Sequence, residues 1–142
     1  MCYAEKLLLS RQDQLSPMHT HVIKAEDIIN RGGATLVVEL FGSNASGGFA
    51  EDKGGTVFCD GIRRDFTPGE KLRIAPGESV TLMPGDWHAF WGEGGDVLIG
   101  EVSTVNDDNT DNVFREEIGR FSQIEEDEPP RHLLVSDYNK WL

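Results

Sequence analysis

Short apolar runs rich in β-branched residues, separated by glycine and proline, set the pattern of this chain. Residues 4–10 (AEKLLLS) read as a first strand, stopped by the polar Arg11-Gln12-Asp13-Gln14. Residues 18–23 read as a second strand, and residues 34–41 (ATLVVELF) as the strongest. A glycine-, serine- and asparagine-rich connection over 42–55 follows. Strands at 56–59 and 61–66 flank Asp60-Gly61, a dipeptide favoured in two-residue hairpin turns. Further strands at 70–74, 79–83, 88–91 and 96–102 are separated by Thr67-Pro68-Gly69, Ala75-Pro76-Gly77, Pro84-Gly85 and the glycine-rich 92–95. Residues 25–30 (AEDIIN) read as one turn of helix ended by Arg31-Gly32-Gly33. Evenly spaced short strands of this kind predict an all-β sandwich or barrel.

The 142 residues are about one domain's worth, enough to bury a core without disulfide staples. The pattern divides them into a barrel core over about 4–103 and a polar lid and C-terminal segment over 104–142. The acidic run at 125–128 reads as a solvated surface. A net charge of −12 argues against nucleic acid and against anionic membranes as partners. No apolar run approaches the ~20 residues of a membrane helix, and no signal peptide is visible. Two cysteines without CxxC spacing suit a reducing cytoplasm, the expected location.

Of four histidines, two form His19-Thr20-His21. Residues two apart in a strand share a face, so this pair presents two imidazoles side by side. Glu26 follows after four residues, and Met83-Pro84-Gly85-Asp86-Trp87-His88 puts a third histidine just after a Pro-Gly turn. Alone, each piece more often belongs to an ordinary surface or hydrogen-bonded histidine. Together, His19, His21, Glu26 and His88 make a mixed nitrogen and oxygen donor set suited to a divalent first-row metal.

These motifs resemble those of the cupin superfamily. The first runs as HxH-x4-E-x6-G from His19 through Glu26 to Gly33, and the second from Gly77 through Pro84-Gly85 to His88. The first lacks its leading glycine, the proline of the second is displaced by one residue to Pro84, and Trp91-Gly92 stand where an asparagine is expected. None of these departures touches a ligand. The resemblance implies a double-stranded β-helix, a small jelly-roll barrel with the metal in its mouth. A narrower resemblance lies in SPMHTHVIKAEDIINRGG, GDWHAFWGEGGDVLIGEVSTVNDDNTDN and GRFSQIEEDEPP, which look like the D-lyxose isomerase family of sugar ketol-isomerases. That resemblance implies a Mn²⁺-dependent isomerase interconverting D-lyxose and D-xylulose, and also D-mannose and D-fructose, through a cis-enediol(ate). Fe²⁺, Co²⁺, Ni²⁺ and Zn²⁺ are alternative metals for the same donors. It also implies a homodimer. Longer family members carry an N-terminal extension where only 18 residues precede His19 here. Part of the outer sheet is therefore expected to be missing, or supplied by a partner subunit.

Isomerisation needs a carboxylate base and a donor near the sugar oxygen. Glu117 beside Arg120, in a segment that the resemblance places over the barrel mouth, is the first candidate base. Sequence does not separate it from Glu116. Glu101, which interrupts an apolar strand, is the second candidate base. Lys24 is the candidate donor if it shares a face with Glu26; it reads equally well as a surface lysine. Asp111, with Asp107 and Asp108, could bind sugar hydroxyls or simply make turns. Arg120 is a further substrate contact. Trp87, Phe90 and Trp91 form a wall against the sugar or part of the core. An Fe²⁺ cupin dioxygenase and a non-catalytic sugar-binding cupin remain open readings of the same donor set.

Overall fold

In a computed structural model, residues 2–107, 110–118, 127–133 and 137–142 are described. The strands are β1 (Tyr3–Ser10), β2 (Ser16–Thr20), β3 (Glu26–Phe41), β4 (Gly55–Cys59), β5 (Ile62–Phe66), β6 (Glu70–Ile74), β7 (Ser79–Leu82), β8 (Trp87–Thr104) and β9 (Val113–Phe114). A short helix, α1 (Tyr138–Trp141), follows near the C-terminus. All strand pairings are antiparallel, and β3 and β8 lie side by side at the centre.

These two long strands pass through both layers of the fold. Their Glu26–Asn30 and Ile99–Ser103 halves pair with each other, flanked by β7 on one side and β1 on the other. Their Leu36–Phe41 and Trp87–Gly92 halves also pair, flanked by β6 and β2. One layer therefore runs β1-β8-β3-β7-β4-β5 and the other β9-β2-β8-β3-β6. Residues from the two inner faces, among them Ile28, Leu36, Val38, Leu40, Leu72, Val80, Leu82, Val97 and Ile99, fill the space between. This arrangement is the small all-β jelly roll that the cupin resemblance implies.

The fold corrects three expectations. Residues 25–30 do not form a helical turn, because Glu26–Asn30 is the start of β3. Its buried positions alternate as Glu26, Ile28 and Asn30, and hydrogen-bonded neighbours on both sides override a short helical pattern. The glycines over 92–95 do not separate two strands, since β8 runs unbroken across them. The second strand stops at Thr20, and residues 21–25 turn instead. The Asp60-Gly61 hairpin forms as expected, with φ of 49° and 78° placing both residues in the left-handed region.

The bend in β3 is made by two register shifts at Asn30–Gly32 and Gly33–Thr35. Asn30 is fully buried there, with its amide donating to Ala34 O and Ile74 O at 2.9 Å and its Oδ1 accepting from Gly32 N at 3.0 Å. Gly33 has φ of 98°, and an added Cβ would lie 2.2 Å from Asp96 O. Gly77 has a similar φ of 94° but open space around it. Gly33→Ala should therefore destabilise more than Gly77→Ala, by roughly 1–3 kcal/mol from the clash, as read from urea midpoints of the two variants.

Candidate metal centre

The two layers meet the 21–25 turn at one end of the barrel, and the donor residues converge there. His19, on β2, pairs across the ladder with His88 on β8 and with Phe114 on β9. The His19 and His88 rings are 4.2 Å apart between centroids, and those of His21 and His88 are 5.8 Å apart. One donor atom from each of His19, His21, Glu26 and His88 lies within 4.8 Å of all the others.

Hydrogen bonds behind the rings decide which nitrogen faces that point. Nδ1 of His19 bonds Pro17 O at 2.7 Å, Nδ1 of His21 bonds Asp111 O at 2.9 Å, and Nδ1 of His88 bonds Asp86 O at 3.0 Å. A carbonyl only accepts, so each Nδ1 carries the proton, and a ring that is neutral, as a metal ligand must be, turns a bare Nε2 lone pair inward. Glu26 Oε1 lies 3.3 Å from His21 Nε2 and 3.1 Å from His88 Nε2. These three buried atoms have no hydrogen-bond donor among the described residues. Lone pairs facing lone pairs repel, and each buried polar atom left unpaired costs about 1–3 kcal/mol. A cation among them removes that cost, so the residues fit a divalent metal. Burial, with His88 and His21 close by, lowers the His19 pKa to about 3, which keeps it neutral as a ligand must be.

Lys24 joins this shell to a second carboxylate. Its Nζ lies 2.6 Å from Glu26 Oε2 and 3.0 Å from Glu101 Oε1, with only 3% of the residue exposed. Burial would pull the ammonium's pKa down, but Glu26 and Glu101 outweigh it and raise it above its ordinary value. Lys6, from β1, also reaches Glu101 Oε1 at 3.0 Å. Lys6 escaped the sequence reading, although it shares the inward face of β1 with Leu8 and Ser10. A cavity of about 400 Å³ opens beside these groups, with Leu8, Phe90, Phe114 and Ile118 as its apolar wall.

The remaining candidates are distributed unevenly. Phe90 lines the cavity while packing into the core. Trp87 lies outside it, packed edge-on against Phe49, with its Nε1–H donating to Ser43 Oγ at 3.1 Å. Trp91 lies beneath Lys71, whose Nζ is 5.4 Å from its ring centroid. Asp111 is buried, but its carboxylate faces the backbone of the 21–25 turn rather than the cavity, which is lined by its neighbour Asn112. Burial would raise the Asp111 carboxyl, but the backbone N–H groups that it accepts bring it below its ordinary value. Glu101 is inside the cavity wall, whereas Glu116 and Glu117 are exposed and do not line it. Arg120 and Asp108 lie outside the described residues.

The D-lyxose isomerase family model matches residues 1–138. The chain belongs to the D-lyxose isomerase family. It is 53% identical to the D-lyxose/D-mannose isomerase of Serratia proteamaculans and 49% identical to that of Escherichia coli O157:H7. Each match covers 99% of this chain and 62% of the relative, so the chain spans about three fifths of the length of these family members. Among solved structures, L-ribose isomerase from Cellulomonas parahominis superposes with a TM-score of 0.58 at 18% identity, covering 82% of this chain and 59% of that one. That similarity supports the cupin fold. Within this fold, His21→Ala should abolish most metal binding, because it removes one of the four converging donor atoms. Elemental analysis after loading with Mn²⁺ would read this as a sharp fall in metal per chain, whereas unchanged stoichiometry would exclude His21 as a ligand.

Proposed function

We propose that this chain carries the catalytic site of a divalent-metal-dependent aldose–ketose isomerase that interconverts D-lyxose with D-xylulose and D-mannose with D-fructose through a cis-enediol(ate). The observation that carries this reading is the inward lone-pair set of His19, His21, Glu26 and His88, joined through Lys24 to Glu101 at the wall of a sugar-sized cavity. Membership of the D-lyxose isomerase family supports it over a dioxygenase or a binding-only cupin.

His19, His21, Glu26 and His88 would hold the metal, with Mn²⁺ the first choice, which when bound would supply Lewis-acid polarisation of the sugar carbonyl. The chain's own residues do the rest. Two carboxylates and two ammoniums, Glu26, Glu101, Lys24 and Lys6, balance one another, so the side chains around the cavity add no net charge of their own against an uncharged polyol. Phe90, Phe114, Leu8 and Ile118 offer apolar surface to the CH face of a sugar ring or chain. A carboxylate takes the proton from C2 of the aldose and returns it to C1 of the ketose. The hydroxyl proton meanwhile moves between O2 and O1, where the Lys24 ammonium is the buried donor. We assign the carbon proton to Glu101, which lines the cavity, ahead of Glu117, which is exposed.

The site reading is tested by two matched variants. Glu101→Gln keeps the shape of the side chain but removes its basicity, and should lower kcat by ~10²–10⁴-fold with metal content unchanged. Glu117→Gln should leave kcat within severalfold of the parent. The reverse result assigns the base to Glu117, and full activity in both variants excludes a carboxylate base at either position.

We read the assembly as a homodimer in a reducing cytoplasm. Strand β1 sits at the edge of its layer and exposes Tyr3, Leu7 and Leu9, a surface suited to a second chain. Both cysteines are free, which suits reducing conditions. Light scattering should report twice the 15.8 kDa chain mass, and a monomer at all concentrations would contradict the dimer.

A further inference from the structure

The connection between β8 and β9 makes an unusual set of contacts with the 21–25 turn. Both carboxylate oxygens of Asp111 are taken by main-chain N–H groups: Oδ1 accepts from Val22 and Ile23 at 2.8 Å each, and Oδ2 accepts from Lys24 at 2.9 Å. The main-chain carbonyl of the same residue accepts the Nδ1–H of His21 at 2.9 Å. Asn106 Nδ2 donates to Oδ2 at 3.2 Å, and the Asp111 N–H bonds Asp107 O at 2.9 Å, so the residue is itself held on its own side. One residue therefore grips four consecutive positions, 21 to 24, of which the first is a metal ligand and the last carries the bridging ammonium.

We infer that Asp111 is a positioning residue that sets the tautomer and aim of His21 through its carbonyl and the place of Lys24 through its carboxylate. The ends of the turn are fixed elsewhere, His21 O by the Gly85 N–H at 2.9 Å and Ala25 by Thr104. Val22 and Ile23 between them are exposed at 67% and 70%, so no core packing fixes the backbone of these two residues. Three consecutive N–H groups converging on one carboxylate define a concave anion-binding turn, and here the anion is part of the chain. The same segment continues through Asn112 and Phe114 into the cavity wall, and the Phe114 ring lies 5.5 Å from that of His19. Metal ligation at His21 and the docking of residues 110–114 thus share one hydrogen-bonded element. Binding at one should stabilise the other by the same factor.

The part of this inference that concerns catalysis rests on the proposed isomerase reading, while the part that concerns the turn does not. The experiment measures residue-resolved amide hydrogen exchange, Mn²⁺ affinity and sugar turnover for Asp111→Ala and Asp111→Asn. In Asp111→Ala, exchange at the Val22, Ile23 and Lys24 amides should rise at least ~10-fold while the β3–β8 core amides stay protected. Its Mn²⁺ affinity should fall ~10-fold or more, because the main-chain carbonyl behind His21 remains but the turn that carries the ring is no longer held in place by the carboxylate. Both variants keep the main-chain carbonyl; Asp111→Asn also keeps one side-chain acceptor but turns the other side into a donor. It should retain Mn²⁺ affinity close to the parent, lose protection at one or more of the three amides, and lower kcat more than KM changes. Parent-like exchange at all three amides in a folded Asp111→Ala protein would overturn the proposal. So would faster exchange with metal affinity and kcat both unchanged, which would make Asp111 a purely structural residue. If Asp111→Ala does not fold, Asp111→Asn decides: parent-like protection and kcat overturn the inference, and selective loss of both supports it. Failure of the isomerase reading would appear separately, as absent sugar turnover in the parent with the exchange pattern intact.

Discussion

Repulsion among inward lone pairs is the constraint on which the rest of the site depends. Three imidazoles spend their Nδ1 protons on main-chain carbonyls, and the Nε2 atoms of His21 and His88 face one buried carboxylate oxygen, with a His19 donor atom within 4.8 Å. Such an arrangement is costly for an empty protein and favourable around a cation. Everything nearby serves to hold it. The acceptors Pro17 O, Asp86 O and Asp111 O lie on three separate segments, so the rings are oriented by the fold as a whole. Lys24 then neutralises the second Glu26 oxygen and carries the pairing on to Glu101.

The jelly roll provides this convergence because two strands serve both layers. β3 brings Glu26 to the mouth at its first residue and continues into the core as Ile28, Leu36, Val38 and Leu40. β8 supplies His88 and Phe90 at one end and Glu101 near the other. A single strand pair thus ties the metal donors to the buried apolar cluster, and a shift in core register would move the ligands with it. The bends that allow both strands to change layers are concentrated where glycine is needed, notably at Gly33 against Asp96 O. The motif glycine therefore has a steric role at a distance from the metal.

Much of the site was legible in sequence because ligands at short spacing on strands leave a periodic trace. His19 and His21, Glu26 five positions beyond His21, and His88 after its turn were all readable, whereas Lys24 read equally well as an inward donor or a surface lysine until the fold buried it. The helix expected at 25–30 was wrong because six residues carry too little periodicity to outweigh pairing on both sides. Lys6 was missed because its partner, Glu101, is 95 residues away and meets it only through the β1–β8 register. Asp111 reads as a sugar contact or as a turn former, because a carboxylate in a polar loop gives no sign of what it faces. Its true neighbours, the amides of residues 22–24, lie 87 to 89 residues earlier. Long-range partners of this kind are fixed by topology, and a single sequence does not display them.

The tautomers of the three histidines test the central claim most directly. Long-range ¹H–¹⁵N correlation spectra of the metal-free protein near pH 7 report, ring by ring, which nitrogen carries the proton. His19, His21 and His88 should all be neutral and protonated on Nδ1, the form that main-chain carbonyl acceptors impose. On adding Mn²⁺, their signals should be the ones broadened first, by a paramagnetic ion bound at Nε2. Rings protonated on Nε2, or charged on both nitrogens, would contradict the account, since no inward lone pairs would then be left to hold a metal.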